Sequence, residues 1–406
     1  MKINNFYVFG GIISFILLLH LYINFKACDL HHYDFELKQI EKKLSILESR
    51  KFANPKIISS KFANILIPVV VIAYNRPSIS RCIDSILKAQ DFLRKTQPNV
   101  DIHLYINQDG DDAETKKVIE DYGSKVFYVN HKLSSVKNVA SNVIGYYRLS
   151  QHYKAAIDSV FEQSSVYNSI IIIEDDLEVS EDIFSYFYNT FKVLEQDESL
   201  YCVSAWNDNG KDDLINVQDT KLIYRSDFFS GLGWLMLKSL WYEIRNTWPE
   251  AYWDEFMRLP EVRKSRQCLR PEVPRTSTFG KKGTSGGQFF DTYLQYIHHN
   301  EFPVNFSAEN LSYLNDGYKE NFLKSVYADS TKEVKSIQEI TPNDTFRIHY
   351  SSNHEFSEIA KLFGAMTDTK VGVPRTAVYG VVSLFYKNSR VYISPPPNSW
   401  NGYIPD

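Results

Sequence analysis

The chain has 406 residues, 45 Lys and Arg against 49 Asp and Glu, a formal net charge of −4 and 44% apolar residues. That length suits about two or three domains, and an aromatic content of 15% excludes a disordered chain. The balanced charge offers no basic stripe for nucleic acid, and four cysteines without zinc spacing exclude a disulfide-built scaffold or a zinc module.

Residues 6–25, FYVFGGIISFILLLHLYINF, contain no Asp, Glu, Lys or Arg. As a helix rising about 1.5 Å per residue they match the ~30 Å hydrocarbon core of a bilayer. The run is long for a cleaved signal peptide, and bulky Phe25 stands where a cleavage site wants small residues, so it reads as a retained signal anchor. Residues 1–5 are then a cytosolic tail, and the rest follows as a single-pass type II protein. Leu30, Tyr33, Leu37, Ile40, Leu44 and Leu47 recur at alternating three- and four-residue spacing. That seam serves equally a stem that dimerises and a lone amphipathic helix that docks on the body. Asn54-Pro55 ends the pattern, and residues 26–64 form the expected stem.

The body opens with Ile65–Ala73 (ILIPVVVIA), a β-branched apolar run expected as a strand buried on both faces. Pro77 starts an amphipathic helix with Ile79, Cys82, Ile83, Ile86 and Leu87 inward. Val100–Ile106 is a second strand running into Asn107-Gln108-Asp109-Gly110, helical stretches follow near Glu114–Asp121 and Gly145–Phe161, and Ser169–Ile173 is a third strand. Strands alternating with helices predict an α/β unit with a largely parallel sheet, whose ligands bind beyond the strands' carboxyl ends. Further on, Tyr201–Asn209 reads as a strand entering a polar loop, Tyr224–Leu237 as a turn-rich aromatic segment, and Trp241–Met257 carries three tryptophans. Phe279–Gly287 (FGKKGTSGG) has the composition of a mobile lid. From about Asn315 a Tyr-, Phe- and Val-rich stretch predicts a smaller β-rich C-terminal domain.

Glu174-Asp175-Asp176, at the mouth of a buried strand, is the sharpest chemical signal. Carboxylates there are costly unless something positive offsets them. A divalent cation shared with a substrate phosphate does so, and an acidic turn or a helix cap is the structural alternative. Strand alternation puts Asp175 and Asp176 on opposite sides of the chain. Arg76, between a strand and a helix, suits a diphosphate. Asp109 is as well explained as a turn former, and His152 as a structural histidine. Trp253-Asp254-Glu255 places acids beside an indole. A sugar's CH face packs on such a ring, and a carboxylate there can take a hydroxyl proton, although a plain helix with exposed acids has the same composition. Cys202 and Cys268 can pair in an oxidising lumen, Cys28 and Cys82 are expected to stay unpaired, and sequons stand at Asn305, Asn310 and Asn343.

In order along the chain, IPVVVIAYNRP, IIIIEDDLEV, YCVSAWNDNG, YRSDFFSGLGW, WPEAYWDEFMR, CLRPEVPRTSTFGKKG and GQFFD resemble the N-acetylglucosaminyltransferase I family, glycosyltransferase family 13, from about Ile65 onward. The resemblance implies a GT-A fold over residues 65–280, a substrate-ordered loop and linker over 281–314, and a C-terminal domain over 315–406. It implies a Golgi enzyme that uses UDP-GlcNAc and Mn²⁺. That enzyme transfers GlcNAc with inversion, in β1,2 linkage, to the α1,3-arm mannose of an oligomannose N-glycan. By matching position, Arg76, Asp109 and His152 are expected to contact the nucleotide-sugar, Asp175 the donor sugar, and Asp176 the metal. Leu232 and Trp253 wall the GlcNAc ring, Asp254 is the catalytic base, Thr284 and Ser285 lie in the closing loop, and Cys202–Cys268 is a disulfide. Vertebrate members carry cysteines where this chain has Tyr74 and Gly110, the acid after Asp254 is Glu255 rather than Asp, and Gly286 replaces a histidine of the loop. Rival readings are a same-fold transferase acting on O-mannose and a silent, lectin-like scaffold. The presence of both Asp176 and Asp254 weighs against the second.

Overall fold

The computed structural model describes residues 65–133, 136–284, 286–315 and 317–404. The expected anchor and stem, Cys28 and Ser285 lie outside the described residues. Among the described residues no helix is long and apolar enough to cross a membrane.

Ten strands make up the first part: β1 (Ile65–Ala73), β2 (Val100–Asp109), β3 (Phe127–His131), β4 (Ser169–Glu174), β5 (Leu177–Val179), β6 (Leu200–Ser204), β7 (Ile223–Ser226), β8 (Trp234–Leu237), β9 (Gln267–Pro271) and β10 (Thr276–Thr278). Eight of them form one sheet in the order β3-β2-β1-β4-β8-β6-β9-β7. The β3-β2-β1-β4 half is parallel. Beyond it β8 runs antiparallel to both β4 and β6, and β9 is parallel to β6 but antiparallel to β7. The expected largely parallel sheet is therefore parallel in its first half and mixed in its second, because β8 returns beside β4 by way of the Tyr224–Leu237 segment.

The alternation of β1 and β4 explains their apolar runs. Val69, Val71, Ile171 and Ile173 enter the core on one face, and Val70, Ile72, Ile170 and Ile172 the core on the other. Each such side chain contributes about 1.5–3 kcal/mol when fully buried. Helix α1 (Ile79–Thr96) covers the first face with Ile79, Cys82, Ile83 and Ile86. The next helix, α2 (Ala113–Glu120), is capped by Asp112, whose carboxylate accepts from the Thr115 amide at 2.8 Å. The second face is covered by α3 (Ile144–Gln163), through Tyr153, Ala156, Ile157 and Val160. After β5 comes α4 (Ile183–Gln196), then α5 (Lys238–Ile244), α6 (Trp253–Arg258) and α7 (Pro260–Arg263). Cys202 and Cys268, facing each other on β6 and β9, form the disulfide, with Cα atoms 4.6 Å apart. Cys82 is free and buried.

The C-terminal part is less purely β than its composition predicts. Helices α8 (Tyr318–Val326) and α9 (Asn353–Phe363) accompany β11 (Lys332–Glu333), β12 (Thr345–His349), β13 (Thr369–Lys370), β14 (Val373–Pro374), β15 (Val382–Tyr386) and β16 (Ser389–Ser394). A four-stranded sheet runs β11-β12-β16-β15, while β13 and β14 form a hairpin. Its core, around Phe346, Phe356, Leu384 and Ile393, also takes in Leu214 and Phe228 from the first part.

Candidate active site

The carboxyl ends of β1 and β4 open into a cavity of about 790 Å³. Arg76, His152, Asp175, Asp176, Leu232, Trp253, Asp254 and Thr284 all line it. Asp109 is not among its lining residues. It ends β2 as a buried side chain whose carboxyl is raised by burial, an effect opposed by the Leu133 and Gly110 amides and by Arg148. Tyr74 covers the adjoining turn. A Cβ on Gly110, where φ is +84°, would lie 3.3 Å from its ring.

β4 ends at Glu174, so Asp175 and Asp176 fall in the turn before β5 rather than on alternating sides of a strand. One guanidinium reaches both: Arg76 Nε donates to Asp175 Oδ1 at 2.9 Å and Nη2 to Asp176 Oδ2 at 3.2 Å. The same Nη2 donates to the Lys282 carbonyl at 2.9 Å, which ties the glycine-rich segment to the acids. The Tyr74 amide donates to the other Asp175 oxygen at 3.2 Å. Burial raises the carboxyls of Glu174, Asp175 and Asp176, repulsion from neighbouring carboxylates adds to it at Glu174 and Asp176, and Arg76 opposes the rise at Asp175 and Asp176. Glu174 accepts from the Tyr153 hydroxyl at 2.6 Å. Gly280 packs against Asp176, and a Cβ there would collide with Asp176 Oδ2.

This donor set fits a divalent cation of one kind. Among the described residues no three His, Cys, Asp or Glu side chains cluster as a self-sufficient metal site. Asp176 is a partly buried oxygen donor facing a cavity roomy enough for a diphosphate. That suits an ion that takes one or two carboxylates and completes its shell with phosphate oxygens and water.

The opposite wall is aromatic. Trp253 stacks on Tyr153, with ring centroids 4.1 Å apart, and on Trp234 at 5.8 Å. Gly231 abuts it, and a Cβ there would lie 2.7 Å from the indole Cη2. Gly233, at φ +84°, leaves room for Thr276 Cγ2, and Thr276 Oγ1 holds the Leu232 carbonyl at 2.7 Å. These contacts give the SGLGW motif its physical reason: the loop must pass between an indole and a strand. Asp254, in the first turn of α6, is 40% exposed, and its Oδ2 accepts from Arg258 Nη1 at 2.8 Å. The same nitrogen reaches Glu255 at 3.3 Å, and Glu255 also pairs with Lys370 of β13 at 2.7 Å.

His152 is buried beside His131, ring centroids 5.9 Å apart, and its Nε2 has no hydrogen-bond partner among the described residues. Burial, helped by His131, pushes its pKa down to about 3, so the ring is neutral at ordinary pH. The Thr284 methyl rests on Gly145 of α3, where a Cβ would lie 2.9 Å away.

Several lining residues escape a reading of the sequence alone. Asp208, in WNDNG, is buried and accepts from Ser230 Oγ and, at 2.8 Å, from Arg375 Nη1. Arg375 is also gripped by Asp368 at 2.8 Å. Arg258 stands four residues after Asp254, a helical spacing visible in the sequence, whereas Lys370 and the Asp208 contact of Arg375 join residues far apart in the chain. The motif WNDNG was itself the available signal for Asp208.

A cavity that offers a cation-compatible carboxylate, a neighbouring guanidinium, an aromatic wall and an exposed acid belongs to the class of sites that hold a phosphorylated sugar. The sequence matches the GNT-I family over residues 9–406, and the chain belongs to that family. An Arabidopsis thaliana relative, alpha-1,3-mannosyl-glycoprotein 2-beta-N-acetylglucosaminyltransferase, is 36% identical over 341 residues, 82% of this chain and 74% of the relative. Among solved structures, the mannosyltransferase PcManGT from Pyrobaculum calidifontis with GDP-Man and Mn²⁺ aligns with a TM-score of 0.32 and 12% identity, over 53% of this chain and 59% of that one. S. aureus TarS 1–349 aligns with a TM-score of 0.31 and 12% identity, over 52% of this chain and 59% of that one. The family assignment rests on neither.

Proposed function

We propose that the chain is an inverting β1,2-N-acetylglucosaminyltransferase of GT-A type. It moves GlcNAc from UDP-GlcNAc to the α1,3-arm mannose of an oligomannose N-glycan, as a single-pass type II protein of the Golgi. The observation that carries this reading is the convergence, on one cavity of about 790 Å³, of Arg76, Asp175 and Asp176 with Trp253 and Asp254. The 36% identity to a plant enzyme named for that reaction supports it.

In this reading Arg76 turns from the two aspartates toward the diphosphate, while Asp175 orients the donor sugar. Asp176 would hold Mn²⁺, which would supply Lewis-acid neutralisation of the charge on departing UDP. Trp253 and Leu232 hold the GlcNAc ring so that its anomeric carbon faces Asp254. The mannose 2-hydroxyl oxygen attacks that carbon, and the bond to the UDP oxygen breaks with its electron pair leaving on the phosphate. The hydroxyl proton passes to Asp254. A single displacement inverts the centre, so no covalent nucleophile is required. Thr284 and Ser285, with the rest of the glycine-rich segment, exclude water that would hydrolyse the donor.

The test combines the full-length chain with UDP-GlcNAc, Mn²⁺ and a five-mannose N-glycan, read by mass spectrometry. One added N-acetylhexosamine is expected, removable by a β-specific hexosaminidase and absent after chelation. Release of UDP without transfer to this glycan would overturn the acceptor assignment. A folded protein that neither binds nor turns over UDP-GlcNAc would overturn the whole reading.

A further inference from the structure

Tyr252 stands two residues before Asp254 with φ 55° and ψ 49°, in the left-handed region, where a bulky L-residue is strained and glycine is not. Its ring is not hidden in exchange, since Tyr252 is 42% exposed and lines the cavity. It stacks on Tyr146 of α3, which lines the same cavity, with centroids 4.6 Å apart and planes 29° from parallel. The next residue behaves in the opposite way. Trp253 is 5% exposed and stacks on Tyr153 and Trp234, so it meets the cavity only with the small part of its ring that serves as the donor's wall. A strained backbone that holds an aromatic pair open at the rim, beside the acid proposed as base, is placed to meet a ligand rather than to build the core.

We propose that Tyr146 and Tyr252 form a stacking platform for a pyranose ring of the acceptor glycan, the ring adjoining the mannose whose hydroxyl meets Asp254. This inference rests on the transferase reading above. Sugars present apolar CH faces that cover aromatic rings well. The donor's anionic diphosphate is drawn to Arg76 and to a cation held at Asp176, which leaves the exposed rim next to Asp254 to the acceptor. A pyranose beyond the accepting residue is the part of the ligand that reaches a platform two residues from the base.

The test measures steady-state kinetics of the full-length chain with UDP-GlcNAc and the five-mannose N-glycan, for wild type, Tyr252→Gly and Tyr252→Phe. Glycine suits the backbone at this position, so the variant that removes the ring keeps the loop's conformation available. Tyr252→Gly is expected to raise the acceptor KM about tenfold while kcat and the donor KM stay within about twofold, and Tyr252→Phe to restore the acceptor KM. An unchanged acceptor KM in Tyr252→Gly would overturn the platform. So would a donor KM that rises in step, or a kcat that falls by as much, because either places the ring at the donor or at the base instead. A wild type that transfers nothing to the glycan overturns the parent reading, and that result is seen before any variant is compared.

Discussion

Asp254 has one oxygen fixed by Arg258 and a side chain 40% exposed to the cavity, a compromise between orientation and availability. Arg258 is itself anchored, since its Nε donates to the Phe229 carbonyl at 3.1 Å. It therefore acts as a positioning residue, holding one oxygen of a carboxylate that lines the cavity. Arg258→Met is expected to lower kcat by about 10- to 100-fold with little change in donor KM, and Arg258→Lys to recover part of the loss. Steady-state kinetics with both substrates varied would show this split. Gly231→Ala forces a methyl against the Trp253 indole. It is expected to cost about 1–3 kcal/mol of stability, read by denaturant unfolding, and to raise the donor KM. His152 predicts a pH dependence. Its folded pKa of about 3 lies below the unfolded value near 6.5, so between those values the unfolded chain binds the extra proton. The stabilisation is full above about pH 6.5 and is lost as pH falls toward 3, by about 2 kcal/mol at pH 5. Unfolding of His152→Gln measured at pH 5 and pH 8 should show a correspondingly smaller difference than wild type.

The Cys202–Cys268 bond joins β6 to β9, the two parallel neighbours that carry the WNDNG loop and the strand before the lid. Replacing both cysteines by alanine is expected to cost about 2–4 kcal/mol, measured by chemical unfolding without reductant. The close approach of Gly280 to Asp176 leaves no room for a side chain, which explains a glycine at that place in TFGKKG. At this scale the sequence is most readable where burial is two-sided. β1 occupies the predicted Ile65–Ala73, and β4 extends the predicted strand by one residue, because unbroken β-branched runs have few alternatives. Strand β3 is missed because its residues are only half-buried at a sheet edge and alternate weakly. Helix α4 is missed although Ile183, Phe187, Thr190 and Leu194 are buried at helical spacing, so its signal is present in the sequence. The expected opposition of Asp175 and Asp176 fails for a local reason: the strand stops one residue too early for alternation to apply.

Across the molecule, polar hubs fix the segments that flank the cavity. Asp182, fully buried, accepts from Arg275 at 3.3 Å, Ser180 at 2.9 Å, the Asn300 amide group at 3.2 Å and the Val304 backbone amide at 3.1 Å. Asp182→Ala leaves the Arg275 guanidinium buried without its counter-charge and is expected to destabilise by about 3–5 kcal/mol in denaturant unfolding. Asn209 in WNDNG performs the same service for the C-terminal part, bonding the Met366 amide at 2.9 Å and Thr376 Oγ1 at 3.2 Å. The motifs named the cavity's acids and indole from the sequence alone. Lys370 and Arg375 stayed invisible there, because their partners Glu255 and Asp208 are brought to them only by folding, while Arg258 was legible as the i+4 partner of Asp254. The central claim is that Asp254 takes the acceptor's proton in a cavity that binds the donor through other residues. It is tested most directly by measuring UDP-GlcNAc affinity and the rate of transfer to the five-mannose glycan in Asp254→Asn. Donor affinity within about twofold of wild type, with transfer reduced by about 10²–10⁴, is the predicted result. Transfer retained within about tenfold, or donor binding lost together with transfer, would contradict it.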